Sequence, residues 1–254
     1  RERIGMSVAA ESETATTVQI MLDSGEVSVS QSLRQLAFTV RSIHGDAVEA
    51  LATAPDASPI GSRDGQVDRL AAMIDRSVSR GMADLREVDA LGTTRPALFE
   101  SWTAMRELCR FREAAADIGC AAASLDGPPA ESRLETCRGV GRTVRELVAD
   151  GVSVALGDAD ADVARAALDD LRRVRDELDA FDRRLDRAGA DAAELRRVSR
   201  ALRRTADRGG AATEVGLRRA ARRREPTRDR EPGQANRFVH DTHLTVPPIC
   251  RASI

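Results

Sequence analysis

Apolar residues recur at steps of three and four through six separate stretches of this chain. The first stretch shows the pattern at Leu33, Leu36, Val40 and Ile43. This spacing puts the apolar side chains on one face of an α-helix, so each stretch predicts a long helix that must bury one face. The first three helices are predicted at about residues 28–52, 64–90 and 94–125. The fourth has its stripe over residues 134–152 and ends at Gly157, and the fifth opens at Asp158 with its stripe over residues 163–185. The sixth is predicted at about residues 191–223. Short connections make consecutive helices antiparallel neighbours, and the predicted fold class is therefore all-α.

The second half of the chain repeats features of the first. The recurring positions, each written with its second copy, are Thr39-Val40-Arg41 and Thr143-Val144-Arg145, Asp46 and Asp150, Asp64 and Asp158, Asp68 and Asp162, and Glu113 and Asp207. Between the copies stands Asp126-Gly127-Pro128-Pro129, the strongest helix breaker in the chain. The sequence therefore predicts two tandem three-helix bundles made of six long antiparallel helices, one over residues 28–126 and one over residues 127–223.

The two ends of the chain lack this periodicity. Residues 16–22 read as a short strand or an extended lead-in. Residue 1 is Arg, and one interpretation of residues 1–27 is the remnant of a missing N-terminal domain. Residues 224–254 combine prolines and arginines without an apolar stripe, which predicts a disordered tail.

The composition argues against several classes of function. Aromatic residues make up 2% of the chain and the net charge is −2, which disfavours both base stacking and a global attraction to nucleic acid. No glycine-rich phosphate loop and no nucleophile with an evident base is found, so we do not expect an enzyme. No apolar run approaches the ~20 residues of a membrane span. The four cysteines form no paired motif and indicate free thiols in a reducing cytoplasm.

Two three-helix repeats with duplicated acids resemble the PhoU family, the regulators of phosphate uptake, including its archaeal members. Val67-Asp68-Arg69-Leu70 is similar to the acidic motif of the family's second helix. Arg106-Glu107-Leu108 and Leu202-Arg203-Arg204-Thr205-Ala206-Asp207 are similar to the motif of its third helices. The resemblance covers about residues 28–223.

The resemblance implies that acidic residues bind iron or zinc in small clusters on the bundle surface. The candidate ligands, taken from matching positions, are Asp46, Asp64, Asp68, Glu113, Asp150, Asp158, Asp162 and Asp207. Carboxylates four residues apart share a helical face and suit such cations. Cys109 and Arg203 stand where the family has glutamate. A thiol can still bind a metal, whereas Arg203 repels a cation or pairs with Asp207 instead.

The same acids also have ordinary structural interpretations. Asp64 and Asp158 stand where helix N-caps are expected. Acids in a first helical turn are favoured by the helix dipole without any ligand. Glu113 and Asp207 pair with arginines in this interpretation. The basic run at residues 218–224 reads either as a solvated helix end or as a segment that contacts phosphate groups.

The resemblance implies a function in phosphate homeostasis. It implies that the protein forms a homodimer and restrains phosphate transport. It would do so by contact with the ATPase subunit of the phosphate ABC transporter, or with a phosphate-sensing regulator. Three alternatives stay open: a transcription-linked regulator with an upstream DNA-binding domain, a carboxylate-bridged metalloprotein, and a metal-free helical scaffold paralogue. The second is disfavoured because the Glu-x-x-His ligand pairs of such sites are absent.

Overall fold

The computed structural model describes residues 6–11, 16–20, 28–53, 58–185 and 192–224. The first two ranges form an antiparallel hairpin of β1 (Met6–Glu11) and β2 (Thr16–Ile20), in which Val8 pairs with Val18. The strand interpretation of residues 16–22 is therefore correct over β2. Strand β1 has no counterpart among the predicted elements. The predicted tail at 224–254 lies outside the described residues, apart from the last residue of the final helix.

Helices make up the rest of the described chain. They are α1 (Val29–Glu49), α2 (Ser58–Ala83), α3 (Leu85–Ala90), α4 (Arg95–Ala123), α5 (Glu131–Leu156), α6 (Ala161–Leu185) and α7 (Ala192–Arg224). Apart from the short hairpin, the described chain is an all-α helical bundle with six long helices, as predicted. None of the helices in these ranges combines the length and the apolar character that crossing a membrane requires.

Several helix ends lie where the sequence places them. Thr94 has an extended backbone, and its hydroxyl accepts a hydrogen bond from the Ala97 amide at 3.3 Å, with Pro96 in the first turn of α4. Gly157 ends α5 with a φ of 88°, and Gly92 follows α3 with a φ of 58°. Both glycines adopt the left-handed conformation that other residues rarely take, so local chemistry defines these boundaries.

The prediction of one helix over residues 64–90 is wrong in two respects: the helix begins earlier, and the chain forms two helices in place of one. Helix α2 begins at Ser58, so Asp64 lies inside the helix and is not its N-cap. The helix stops before Asp84, whose extended backbone and side chain cap the separate short helix α3. The Asp84 carboxylate accepts from the Arg86 amide at 2.9 Å. This local hydrogen bond competes with continuation of the helix.

The predicted capping role of Asp158 is also wrong. Helix α6 begins three residues later, and the carboxylate of Asp160 accepts from the amides of Asp162 and Val163 at 2.9 and 3.3 Å. Asp160 therefore satisfies the free amides at the start of α6. Asp158 is left to interact with another part of the chain.

One hydrophobic core joins the helices of both predicted halves. Helices α1, α2 and α4 contact one another, α5 contacts α6, and α1 also packs against α5. The core contains Phe111 from the first half and Phe181 from the second, both almost completely buried. Burial of such a side chain contributes about 1.5–3 kcal/mol. Residues up to Arg223 form one compact structural unit. The division into two repeats at residue 126 therefore stays a prediction.

Candidate functional site

The candidate acids of the first half lie mostly in the groove between α2 and α4. Asp64 and Asp68 are one turn apart on α2, and Arg112 of α4 donates to Asp64 Oδ1 at 2.9 Å. On α4, burial raises the pKa of the Cys109 thiol; Arg112 and Arg106 oppose this effect, while the charges of Glu113 and Asp68 add to it. Asp68 and Glu113 therefore lie near enough to Cys109 to affect its pKa, and Arg112 connects Asp64 with α4.

Arg112 of α4 interacts with several of these side chains. The Arg112 guanidinium holds the Asp64 carboxylate and also lies near Asp68 and Cys109. The fourth candidate of this half, Asp46, lies on α1 and pairs with Arg63 at 2.5 Å. Carboxylate and thiol donors suit iron or zinc, but Arg112 competes with a cation for the same oxygens. Its position is consistent with an ion-paired groove.

The candidate acids of the second half are separated from one another. Three of them form ion pairs with arginines on different parts of the fold: Asp158 with Arg34, Asp162 with Arg165, and Asp207 with Arg175. The fourth, Asp150, is half-buried on α5, and burial together with Glu146 raises its pKa while Arg41 lowers it. The interpretation of Asp207 as an arginine partner is confirmed.

Arg203 does not form the predicted pair with Asp207. Its two terminal nitrogens lie 2.8 Å from Asp179 Oδ1 and 3.2 Å from Asp182 Oδ2, both on α6. Asp207 pairs with Arg175 at 2.7 Å instead. The sequence-based choice of partner fails because acids on the neighbouring helix compete with the acid on the same helix. Half-exposed pairs of this kind contribute about 0–1 kcal/mol each.

Within the ranges that the structure describes, no three His, Cys, Asp or Glu side chains are grouped closely enough to hold a metal ion. Iron or zinc binding by the eight candidate carboxylates therefore stays a prediction.

A buried histidine that the sequence analysis did not single out lies between several helices. His44 of α1 is fully buried, and its Nε2 lies 3.2 Å from the hydroxyl of Thr205 on α7. Because the Thr205 hydroxyl donates its own proton to Leu202 O at 2.8 Å, it accepts from His44 Nε2. His44 Nδ1 is therefore an acceptor, and Arg145 Nη1 of α5 approaches it at 3.4 Å.

His44 also contacts the fourth helix. The centre of its ring lies 5.0 Å from that of Phe111 on α4. One side chain of α1 thus touches α4, α5 and α7, and it connects the two predicted halves. The available signal in the sequence is its place beside Ile43 in the buried stripe, together with the recurrence of Arg41 as Arg145.

The burial of His44 predicts a loss of stability in mild acid. Burial, with a smaller effect from Arg145, lowers its pKa from 6.5 to about 3. The unfolded chain takes up a proton below pH 6.5 and the folded chain does not, so stability is complete above that pH and falls as the pH decreases toward 3. At pH 5 this group is expected to lower the free energy of unfolding by about 2 kcal/mol.

Urea unfolding of the parent protein and the His44→Gln variant at pH 7, 6 and 5 measures this effect. The difference between the two proteins removes the contribution of the carboxylates, which are the same in both. The parent is expected to lose about 2 kcal/mol more than the variant over this interval. The same pH dependence in both proteins would contradict a neutral, buried His44.

Exposed apolar side chains are found at the end of α2, at the start of α3 and at the start of α4. Met82, Leu85 and Phe99 are 52%, 60% and 55% exposed. Arg95 Nη2 donates to Met82 O at 3.3 Å, so the two helix ends are neighbours. The ring of Phe99 stacks on that of Trp102 with 6.0 Å between their centres. We call Met82, Leu85, Phe99 and Trp102 the α2–α4 junction.

The basic run at the end of α7 makes internal contacts. Arg222 Nη2 lies 2.7 Å from the carboxylate of Glu100, which is buried at the start of α4; this is an ion pair outside hydrogen-bond geometry. Arg219 Nη1 donates to Ser101 Oγ at 3.2 Å, and Arg223 Nη2 donates to Ala155 O at 3.4 Å. These arginines connect α7 with α4 and α5. Arg218, Arg222 and Arg223 are nevertheless exposed, and both interpretations of the run stay predictions.

The cysteines of the described residues carry free thiols, as predicted. Cys109 and Cys120 are at least partly accessible, whereas Cys137 is buried. Burial, with a further effect from Glu177, raises the pKa of Cys137 to about 12. Cys137 is therefore a neutral core side chain at physiological pH. The fourth cysteine, Cys250, lies outside the described residues.

A scan against protein-family models and a search of curated proteins each found no match to this chain. The fold and the site describe a helical bundle whose surface acids are held by arginines and whose α2–α4 junction is apolar. The resemblance to PhoU regulators stays a prediction.

Proposed function

We propose that this protein is a regulator of phosphate uptake that acts by protein–protein contact. Its partner is the ATPase subunit of the phosphate ABC transporter or a phosphate-sensing regulator. The resemblance of residues 28–223 supports the biological role. The exposed apolar α2–α4 junction is the observation that supports contact with a partner.

The junction has the composition of a binding surface. Its exposed side chains are methionine, leucine and phenylalanine, and aromatic and methionine side chains are enriched at the centres of protein interfaces. Polar groups lie beside it: Trp102 Nε1 donates to Asp75 Oδ1 at 3.0 Å, and the Arg106 guanidinium lies 5.7 Å from the Trp102 ring centre. An apolar centre with a polar rim is the arrangement in which a few side chains supply most of the binding energy.

The double variant Met82→Ser, Phe99→Ser tests this surface. Binding of the purified protein to each of the two partners from the same organism is measured by biolayer interferometry. We expect the variant to raise the Kd by about 10- to 100-fold, because each lost contact at an interface centre costs about 1–2 kcal/mol. The matched control is Phe38→Ser on α1, where an even more exposed phenylalanine lies outside the junction.

The outcomes separate the alternatives. If neither partner binds the parent protein, the proposed contact is wrong and the metal-free scaffold is favoured. If Phe38→Ser weakens binding and the junction variant does not, the contact surface is on α1. If the junction variant only converts a dimer to a monomer in sedimentation, the occupant of the junction is a second copy of this chain. The transcription-linked alternative stays a prediction about sequence upstream of residue 1.

A further inference from the structure

The groove between α1 and α5 brings two arginines from repeated positions together. Arg41 and Arg145 are the last residues of the recurring segments Thr39-Val40-Arg41 and Thr143-Val144-Arg145. Both line one open cavity of about 420 Å³. The remaining lining residues are Phe38, Ser42, Gly45, Asp46 and Glu49.

The two acids of this groove are already engaged by other arginines. Asp46 Oδ2 lies 2.5 Å from Arg63 Nη1. Glu49 accepts from Arg138 Nη2 at 2.8 Å and from its Nε at 3.1 and 3.2 Å. Neither Arg63 nor Arg138 lines the cavity. The carboxylates of the groove therefore have cationic partners apart from the two groove arginines.

The groove arginines lack such partners. Arg41 Nε is buried without a hydrogen-bond partner among the described residues. Arg145 Nη1 contacts the neutral His44 at 3.4 Å, which compensates no charge. In the described part of the chain, neither guanidinium forms an ion pair with a carboxylate. The groove thus contains two half-buried guanidinium groups without a carboxylate at ion-pair distance, although the charge of Arg41 is near enough to Asp150 to lower the pKa of that acid.

The electrostatic surroundings agree with this geometry. Burial lowers the pKa of Arg145; Glu49 opposes this effect, while Arg142 and Arg41 lower the pKa further. The two guanidinium groups repel each other and are partly removed from water, and both effects raise the electrostatic free energy of the groove. An anion that accepts hydrogen bonds from both would relieve this repulsion.

We propose that Arg41 and Arg145 bind a small tetrahedral oxyanion, with inorganic phosphate as its representative, in the α1–α5 groove. Guanidinium groups match such an anion because their parallel N–H donors engage two oxygens at once. Ser42 adds a hydroxyl donor, since its oxygen accepts from Arg63 at 2.8 Å and its proton is left for the ligand. The carboxylates of Asp46 and Glu49 line the same groove and limit the affinity. This inference is independent of the docking partner.

Isothermal titration of the full chain with phosphate, sulfate and chloride at matched ionic strength tests the site. The parent is expected to bind one phosphate saturably and to show no such binding of chloride. Arg41→Gln and Arg145→Gln are each expected to weaken phosphate binding at least about tenfold. The control Arg172→Gln removes the same charge from an exposed position on α6 and is expected to stay within about twofold of the parent.

A second measurement on the parent protein keeps the test valid if a variant misfolds. Because Arg145 contacts His44, phosphate is expected to shift the ¹⁵N resonance of the His44 Nδ1 in proportion to occupancy. Saturable binding without that shift would place the anion elsewhere and overturn the site. So would the absence of saturable phosphate binding to the parent, or equal affinities in the two groove variants and the control. Tighter sulfate than phosphate binding would assign the site to sulfate-like anions.

Discussion

Replacement of Phe111 by alanine is expected to lower the free energy of unfolding by about 3–5 kcal/mol. Phe111 is 0% exposed on α4, in the core shared by both halves. Its ring lies 5.0 Å from that of His44, so the cavity would open beside the buried histidine and its hydrogen bonds. The loss therefore combines the transfer of an aromatic side chain with the cost of an unfilled space.

Phe38→Ala is the matched control for this prediction. Phe38 lies on α1 and is 70% exposed, so its truncation removes little buried surface. It is expected to change stability by less than about 0.5 kcal/mol. Denaturant unfolding of both variants at pH 7 measures the two values. Similar losses in the two variants would contradict the assignment of Phe111 to the core and of Phe38 to the surface.

The helices could be predicted because the apolar residues that recur at helical spacing are the same residues that pack in the core. A stripe such as Leu33, Leu36 and Val40 identifies the buried face of α1 from spacing alone. The same signal conceals the break between α2 and α3, because Val88 of α3 continues the stripe and is buried like it. The helix ends at Asp84, whose backbone is extended and whose carboxylate accepts a hydrogen bond from the Arg86 amide. A periodicity argument does not include such a local hydrogen bond.

The partners of the acids could not be predicted in the same way. All 39 basic residues are arginines, so an acid has many possible partners at short sequence distance. Asp158 instead pairs with Arg34 on α1, far away in the sequence, once α1 and α5 have packed together. The choice follows from the packing of helices and not from spacing within one helix.

The buried polar centre was missed for a related reason. A single histidine in a helical stripe carries no pattern, and the role of His44 depends on Thr205 and Arg145, which come from two other helices. The recurring Thr-Val-Arg segments were visible as a repeat. Their meaning emerged only when the fold placed both arginines in one groove.

Two glycine-to-alanine changes on α5 are expected to act in opposite directions. At Gly151 an added Cβ would lie 2.4 Å from Thr213 Oγ1 and 2.6 Å from Thr213 Cα on α7. A Cβ on Gly216 of α7 would in turn lie 2.5 Å from Gly151 O. The backbones of the two helices are therefore in direct contact. Gly151→Ala must move α7 away from α5, and a loss of about 2–3 kcal/mol is expected.

Gly139→Ala supplies the comparison because Gly139 lies on the same helix and a Cβ there would meet nothing within 4 Å. Alanine loses less backbone entropy than glycine in a helix, so this variant is expected to gain about 0.5–1 kcal/mol. The two variants should therefore differ by about 3 kcal/mol in denaturant unfolding at pH 7. If Gly151→Ala also stabilised the protein, α5 and α7 would not be in backbone contact. Thr213 Oγ1 lies at hydrogen-bond distance from Gly209 O on its own helix, at 3.0 Å, and from Leu147 O across the same contact, at 3.1 Å. The second of these contacts would be contradicted as well.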